Sequence, residues 1–359
     1  MQENMGIRMT TDKVKLLGRT CMVNDTLWFS HCGTGVEFHF RGRQCAFALC
    51  SDSLFKEEMH QARFAVYVND RLVTDDVMDC GEKMVTVIGC EAGTDAVIRL
   101  VKLSESSDST MGIREIFTDS EAVVTPTAKK NLAIEFVGDS ITCGYGVDGT
   151  LQDTYSTHNE NVTRAYAYQT AQTLDADYSM VSFSGHGIIS GYTDNGEKRP
   201  DQLVPAYYEK LGNSYGTFGE DIAPRDVVWD FTKFRPDIVV INLGTNDASY
   251  AKDSQEKCRE YAREYCRFLG TVREKNPQAA ILCVLGLMGQ ELCEYVEEAA
   301  TSFRTQTGDS KVYTLKLAVQ APENGVVVDY HPTYTSHRQA ADAVAGFIRE
   351  EILSGQSKH

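Results

Sequence analysis

The sequence predicts an all-β sandwich followed by an α/β domain built on a parallel sheet. The 359 residues are enough for two domains of roughly 150 residues each. Up to about residue 120, short apolar–polar alternations recur without helical periodicity, which is typical of a sandwich. Beyond residue 130, apolar strands alternate with amphipathic helices, as in a doubly wound sheet. We therefore place a sandwich domain at residues 1–125 and an α/β domain at residues 126–359.

Each predicted element has its own local signal. The sandwich strands alternate apolar and polar residues, and turn-forming pairs such as Asn69-Asp70 separate several of them. They are predicted at Val36–Phe40, Cys45–Leu49, Phe64–Val68, Val97–Lys102 and Gly112–Phe117. The α/β domain has predicted strands at Leu132–Val137, Tyr178–Phe183, Asp237–Leu243, Ala280–Leu287 and Lys311–Leu317. Its predicted helices are Thr163–Leu174, Gln255–Arg273, Leu292–Arg304 and Ser336–Ile352.

Composition and charge disfavour several classes of function. The formal net charge of −16 repels nucleic-acid phosphates and anionic lipid headgroups, so we expect neither nucleic-acid nor membrane binding. The opening residues show no secretory signal, and the eleven cysteines have neither C-x-x-C nor zinc-site spacing. We therefore expect reduced thiols, no bound metal and a cytoplasmic location. A homo-oligomer remains compatible with the sequence.

Four residues lie at predicted strand ends or at a predicted helix start, in places suited to catalysis. Ser140 comes directly after the first parallel strand, Gly185 and Asn246 follow the next two, and His331 precedes the last helix. Parallel sheets place their sites at the carboxyl ends of their strands, so these residues are expected to meet there. A serine nucleophile, backbone and amide donors for an oxyanion, and a histidine base are the groups that nucleophilic catalysis uses.

A glycine-rich run, Gly144–Gly149, satisfies the pattern G-x-G-x-x-G. In dinucleotide-binding proteins the first glycine follows the strand directly and a helix opens within the motif. Here six residues separate Val137 from Gly144, and no apolar helical stripe follows. We interpret this run as a flexible rim of the cleft, and we expect no nucleotide cofactor.

The four residues at the predicted strand ends and helix start, Ser140, Gly185, Asn246 and His331, resemble the four sequence blocks of the SGNH (GDSL-type) hydrolase superfamily. The fold of that superfamily is flavodoxin-like. More of the chain is similar to the family 2 carbohydrate esterases, in which a jelly-roll sandwich precedes the SGNH domain. The resembling segments are GVEFHF, AVIRLVKL, FVGDSITCGYG, WDFTKFRPDIVVINLGTND and VDYHPTYTSH. The resemblance implies a metal-free esterase that removes acetyl groups from plant polysaccharides or oligosaccharides, xylan and mannan among them.

The resemblance also implies a role for each motif residue. Ser140 would be the nucleophile and His331 the base, and the Ser140 N–H, Gly185 and Asn246 would form the oxyanion hole. The superfamily usually has an aspartate three residues before the histidine, where this chain has Val328. Because Asp329 lies two residues before His331, we expect it to orient the ring, through either its side chain or its carbonyl.

Three further residues are candidates for contacting a sugar. Tyr330 lies between Asp329 and His331 and is the best candidate for stacking. Trp229 lies either in the core or in the cleft, and His186 either lines the pocket or has a structural role. Two other interpretations stay open: a lipase or thioesterase on the same fold, and a non-catalytic carbohydrate-binding protein.

Overall fold

The computed structural model describes residues 5–8 and 12–354, and for residues 5–8 only the backbone. The described chain forms two compact units. The first contains the chain up to Lys129 together with Tyr155–Glu160 and Lys210–Trp229. The second contains Lys130–Thr154, Asn161–Glu209 and the chain from Asp230 onward. The first unit thus ends four residues beyond the predicted boundary, and two segments from later in the sequence belong to it.

The first unit is built from one antiparallel sheet of ten strands. In chain order they are β1 (Met5–Arg8), β2 (Lys15–Leu17), β3 (Thr20–Val23), β4 (Thr26–Phe29), β5 (Gly35–Ser51), β6 (Arg63–Val68), β7 (Arg71–Val77), β8 (Glu82–Lys102), β9 (Met111–Thr118) and β10 (Val123–Pro126). The main path through the sheet is β3-β4-β9-β5-β8-β6-β7, while β1 pairs with β9, and β2 and β10 pair with β5. The all-β prediction for this region is confirmed.

The two strands predicted between Val36 and Leu49 are one continuous strand, β5. Its register against β8 shifts between Gly42 and Gln44, which marks an irregularity in the middle of the strand. A Cβ at Gly42 would lie 2.7 Å from the Cβ of Ala122, so a glycine is needed there. Local alternation predicted both halves, but it gives no sign that a strand continues through an irregular middle.

The second unit has a parallel sheet of five strands in the order β12-β11-β13-β14-β15. These are β11 (Leu132–Gly138), β12 (Ala176–Ser182), β13 (Ile238–Asn242), β14 (Ala280–Leu287) and β15 (Val312–Val319). The helices are α1 (Ser140–Cys143), α2 (Tyr166–Thr173), α3 (Val204–Tyr207), α4 (Thr245–Ala251), α5 (Gln255–Lys275), α6 (Cys293–Thr307) and α7 (Tyr334–Phe347). A π-helix (Ile348–Leu353) continues α7. Short 3-10 helices cover Val162–Arg164 and Pro322–Asn324 in this unit, and Glu58–His60, Thr157–Asn159 and Pro224–Asp226 in the first unit. Val328–Tyr330 is a single turn in which Asp329 is not helical.

The predicted strands of this unit are confirmed to within a few residues. Their apolar runs are buried because helices cover a parallel sheet on both faces: every residue of β13 and β14 is buried. Helix α5 follows the i, i+3, i+4 rule and turns Cys258, Tyr261, Tyr265 and other apolar residues toward the core. Among the described residues, no helix combines the length and apolar content needed to cross a membrane.

The order of the sheet fixes where a site can form. Strand β11 has β12 on one side and β13 on the other, so the chain reverses its direction of winding there. In such sheets, ligands bind beyond the carboxyl ends of the strands at this reversal. Ser140, Gly185 and Asn246 each lie a few residues after one of these three strands.

Candidate active site

Ser140 and His331 are joined by a direct hydrogen bond although 191 residues separate them in sequence. The Ser140 Oγ lies 2.8 Å from His331 Nε2. Ser140 begins the short helix α1, and the carboxylate of Asp139 caps that helix by accepting from the Ile141 N–H at 3.0 Å. Both side chains are largely buried, with 7% and 9% of their surface exposed. A nucleophile in hydrogen-bond contact with a base is the arrangement that nucleophilic catalysis requires.

The other end of the His331 ring bonds to a backbone carbonyl. Nδ1 lies 3.1 Å from the carbonyl oxygen of Val328, three residues earlier. This arrangement fits a ring that donates from Nδ1 and accepts the Ser140 hydroxyl at Nε2. Val328 occupies the position where an aspartate was expected from the resemblance, and its carbonyl oxygen takes the place of a carboxylate.

The structure also shows which partner the Asp329 side chain has. Its carboxylate Oδ2 accepts a hydrogen bond from the Tyr145 hydroxyl at 2.7 Å, so the side chain points to Tyr145 and not to Nδ1. Asp329 still acts on the ring at short range, because its negative charge and its backbone both raise the pKa of His331. The hydrogen bond that orients the ring nevertheless comes from Val328. Sequence reasoning missed Val328 because every residue has a carbonyl, so no side-chain type marks the one that is used.

Burial is the main influence on the His331 base. It lowers the pKa of His331 to about 4, while the Val328 carbonyl and the Asp329 charge oppose the shift. The neutral ring is the form that accepts a proton from serine. The base is therefore ready to act at any pH well above 4.

We accordingly expect kcat/KM on a soluble acetyl ester to fall on the acid side with a midpoint near pH 4. An ordinary histidine, with a pKa near 6.5, would give a midpoint more than two pH units higher. The measurement is a pH–rate profile between pH 3.5 and 8, with circular dichroism at each pH to verify folding. NMR titration of the His331 ring assigns the acid limb, and a ring that titrates between pH 6 and 7 would contradict the expectation.

Asn246 connects the three sequence blocks at the sheet edge. Its Nδ2 donates to the His186 carbonyl at 2.8 Å and to the Asp139 carboxylate at 3.3 Å. It therefore lies next to the residue before Ser140 and the residue after Gly185. Gly185 has φ +74°, a left-handed conformation that favours glycine, and a Cβ there would meet no atom within 4 Å. The structure thus brings Ser140, Gly185 and Asn246 together.

Two buried aspartates support these donors. The carboxylate of Asp247 accepts from the backbone N–H groups of Ile188, Ile189 and Ser190 at 2.7–3.2 Å and so fixes the loop after Gly185. Burial raises the pKa of Asp247 to about 6 and that of Asp139 to about 7. Each raised pKa marks a carboxyl group withdrawn from water.

The three candidates for sugar contact differ in accessibility. Tyr330 is 67% exposed, so its ring is available for stacking. Trp229 is only 5% exposed and packs in the first unit, where the Arg19 guanidinium lies 5.4 Å from its ring centroid. Of the two positions that the sequence left open for Trp229, core or cleft, the structure therefore shows the core. His186 is also buried, and its ring packs against Phe183 while its carbonyl holds Asn246, which is the structural role.

Two family models match the chain. The model of the GDSL-like lipase/acylhydrolase family matches residues 136–346, and the model described as carbohydrate esterase 2 N-terminal matches residues 16–127. Together they cover strands β3 to β10 of the first unit and the residues of the site. The residues at the carboxyl ends of β11, β12 and β13 and the His331 turn all fall within the first of these matches.

Several known proteins are similar to the chain. A cellulase/esterase of Acetivibrio thermocellus is 34% identical over 225 residues, which are 61% of this chain and 25% of that protein. An acetylxylan esterase/glucomannan deacetylase of Cellvibrio japonicus is 24% identical over 98% of this chain and 92% of its own length. The solved structure of an acetyl xylan esterase from the rumen bacterium Butyrivibrio proteoclasticus has a TM-score of 0.86 and 25% identity, covering 98% of this chain and 99% of that one. The chain thus spans a quarter of the first of these relatives and nearly all of the other two.

Proposed function

Because the chain belongs to the GDSL-like lipase/acylhydrolase family, we propose that it is a serine esterase that removes O-acetyl groups from polysaccharides or oligosaccharides of the xylan and mannan type. The observation that supports this most directly is the Ser140–His331 contact of 2.8 Å, with the ring held at its other end by Val328. The class of substrate follows from the relatives, which are named as acetylxylan esterases and glucomannan deacetylases.

In the acylation half of the proposed reaction, His331 Nε2 takes the proton from Ser140 Oγ as that oxygen attacks the acetyl carbonyl. The imidazolium that forms donates through Nδ1 to the Val328 carbonyl, which stabilises its charge. His331 then gives its proton to the departing sugar oxygen, which leaves as a hydroxyl group, and the acetyl group stays on Ser140. In the second half, His331 takes a proton from a water molecule that attacks the acetyl carbonyl, and returns a proton to Ser140 Oγ as acetate is released.

The tetrahedral intermediates of both halves carry a negative oxygen. The backbone N–H groups of Ser140 and Gly185 and the Asn246 side chain are proposed to bind it. Asn246 already uses both Nδ2 hydrogens, one at 2.8 Å and one at 3.3 Å. Because the contact with Asp139 is the longer and weaker one, an oxyanion would replace that contact first.

Acetate release from acetylated xylo- and manno-oligosaccharides tests the proposal, with Ser140→Ala as the inactive control. We expect release by the wild-type protein that is abolished in the variant. Four-nitrophenyl esters of acetate and decanoate serve as a second pair of substrates. Preference for decanoate with no acetate release from sugars would indicate a lipase-type enzyme instead. Glycan binding without cleavage of any ester would indicate a binding protein.

A further inference from the structure

The proposed reaction leaves the role of Tyr145 unexplained. This residue lies in the glycine-rich run after Ser140, which the sequence predicts to be a flexible rim of the cleft. In the structure the Tyr145 ring stacks on the His331 ring, with centroids 4.3 Å apart and an angle of 29° between the planes. Its hydroxyl donates to Asp329 Oδ2 at 2.7 Å. Tyr145 therefore contacts both the catalytic ring and the turn that precedes it.

That turn has an unfavourable backbone. Asp329 and Tyr330 adopt φ values of +48° and +63°, consecutive left-handed conformations that side chains other than glycine rarely adopt. The turn directs the Val328 carbonyl back toward His331, where it accepts from both the backbone N–H at 3.0 Å and Nδ1 at 3.1 Å. A turn of this kind persists only when its surroundings hold it. If it relaxed, Nδ1 would lose its partner.

The segment around Tyr145 packs directly on the turn. A Cβ at Gly146 would lie 2.5 Å from the Cβ of Val328, so only glycine allows the two backbones to approach this closely. On the other side, the Tyr145 N–H donates to the Ser140 carbonyl at 3.2 Å. The tyrosine thus links the helix that carries the nucleophile to the turn that carries the base.

We infer that Tyr145 is a positioning residue, which holds the strained turn through Asp329 and braces the His331 ring against its face. The inference rests on the proposed esterase function, because it assigns Tyr145 a role in aligning Ser140 with His331. The inference also gives the Asp329 carboxylate a part in positioning His331. This side chain acts on His331 through Tyr145 and through its negative charge, and it makes no hydrogen bond to the ring.

Tyr145→Phe is the sharpest test, because it removes the hydroxyl and keeps the stacked ring. We expect kcat on an acetyl ester to fall about tenfold with KM within about twofold of wild type, since small misplacements of reacting groups cost rate more than binding. Tyr313→Phe is the matched control. Tyr313 lies on β15 beside Phe347, and its loss of a hydroxyl is expected to leave kcat unchanged.

Asp329→Ala and the double variant Tyr145→Phe/Asp329→Ala test whether Asp329 is the group through which the Tyr145 hydroxyl acts. If the hydroxyl acts through Asp329, the double variant loses no more activity than the worse single variant. Asp329→Asn retains an acceptor oxygen and should recover part of the loss of Asp329→Ala. An unchanged kcat in Tyr145→Phe would overturn the inference. Losses that multiply in the double variant, or a change confined to KM, would overturn it as well.

A measurement that does not depend on catalysis tests the role of Tyr145 separately from the proposed esterase function. The hydrogen-bonded Nδ1 proton of His331 should give an NMR signal in the wild type that broadens or shifts in Tyr145→Phe and stays in place in Tyr313→Phe. If the wild type hydrolyses no ester, the proposed function fails, while this signal still reports whether Tyr145 orders the ring. An identical signal in all three proteins would overturn the inference.

Discussion

Ser140→Ala is expected to lower kcat on acetyl esters by about 10⁴-fold or more, and His331→Ala by a similar factor. The two residues form one unit, because the serine hydroxyl attacks only after its proton has moved across the 2.8 Å contact to Nε2. The double variant should therefore be no slower than the slower single variant. Steady-state kinetics on four-nitrophenyl acetate, corrected for uncatalysed hydrolysis, measures all three.

A matched serine substitution separates lost chemistry from lost folding. Ser302 lies on helix α6, and Ser302→Ala should retain wild-type kcat. Thermal unfolding of each variant should remain cooperative. Retention of more than about a hundredth of wild-type turnover in Ser140→Ala would exclude the serine as nucleophile, since such variants normally retain far less. Further loss in the double variant would show that His331 acts on something other than Ser140.

Asn246→Ala is expected to lower kcat by about 10²- to 10³-fold while KM changes little. The amide would bind the oxyanion, which exists only in the tetrahedral intermediates and the transition states leading to them. An interaction confined to these states changes the rate and leaves ground-state binding intact. Kinetics on a soluble acetyl ester across a wide concentration range separates the two parameters.

Asn276→Ala is the control that Asn246 requires. Asn276 is also buried, and its Nδ2 makes two hydrogen bonds as well, to the Tyr208 hydroxyl at 2.8 Å and the Val272 carbonyl at 3.2 Å. It lies outside the proposed site, so its loss should lower the melting temperature and leave kcat nearly unchanged. Equal kcat losses in the two variants would mean that Asn246 acts through stability alone.

The contacts among Tyr145, Asp329 and Val328 suggest how a serine esterase can orient its histidine without an aspartate three residues before it. A carboxylate supplies a charged acceptor that orients the ring by itself. A carbonyl is neutral, so its direction depends on the backbone that carries it. In this protein that backbone is a left-handed turn, which Asp329 ties to Tyr145. In this protein a backbone carbonyl, held in place by its turn, thus orients the His331 ring in place of a carboxylate side chain.

The sequence predicted the elements of the second unit well because their signals are local. A buried parallel strand such as β14 is a continuous apolar run, and an amphipathic helix such as α5 repeats its apolar residues every three or four positions. Residues that follow strands of one parallel sheet meet at the same edge. For this reason the sequence predicts that Ser140, Gly185 and Asn246 lie near one another.

The amino-acid pattern predicted the five parallel strands and four of the helices of the second unit, the meeting of the four motif residues, and the family. The tertiary structure was needed to show that the Val328 carbonyl lies 3.1 Å from Nδ1 while the Asp329 carboxylate binds Tyr145, that Trp229 is buried, and that Lys210–Trp229 belongs to the first unit. The hydrogen bond between Tyr145 and Asp329 is an example, because it joins residues that are 184 positions apart in the sequence. Contacts of this kind depend on how distant segments pack and on the direction of backbone groups common to every residue, and neither leaves a local pattern in the sequence.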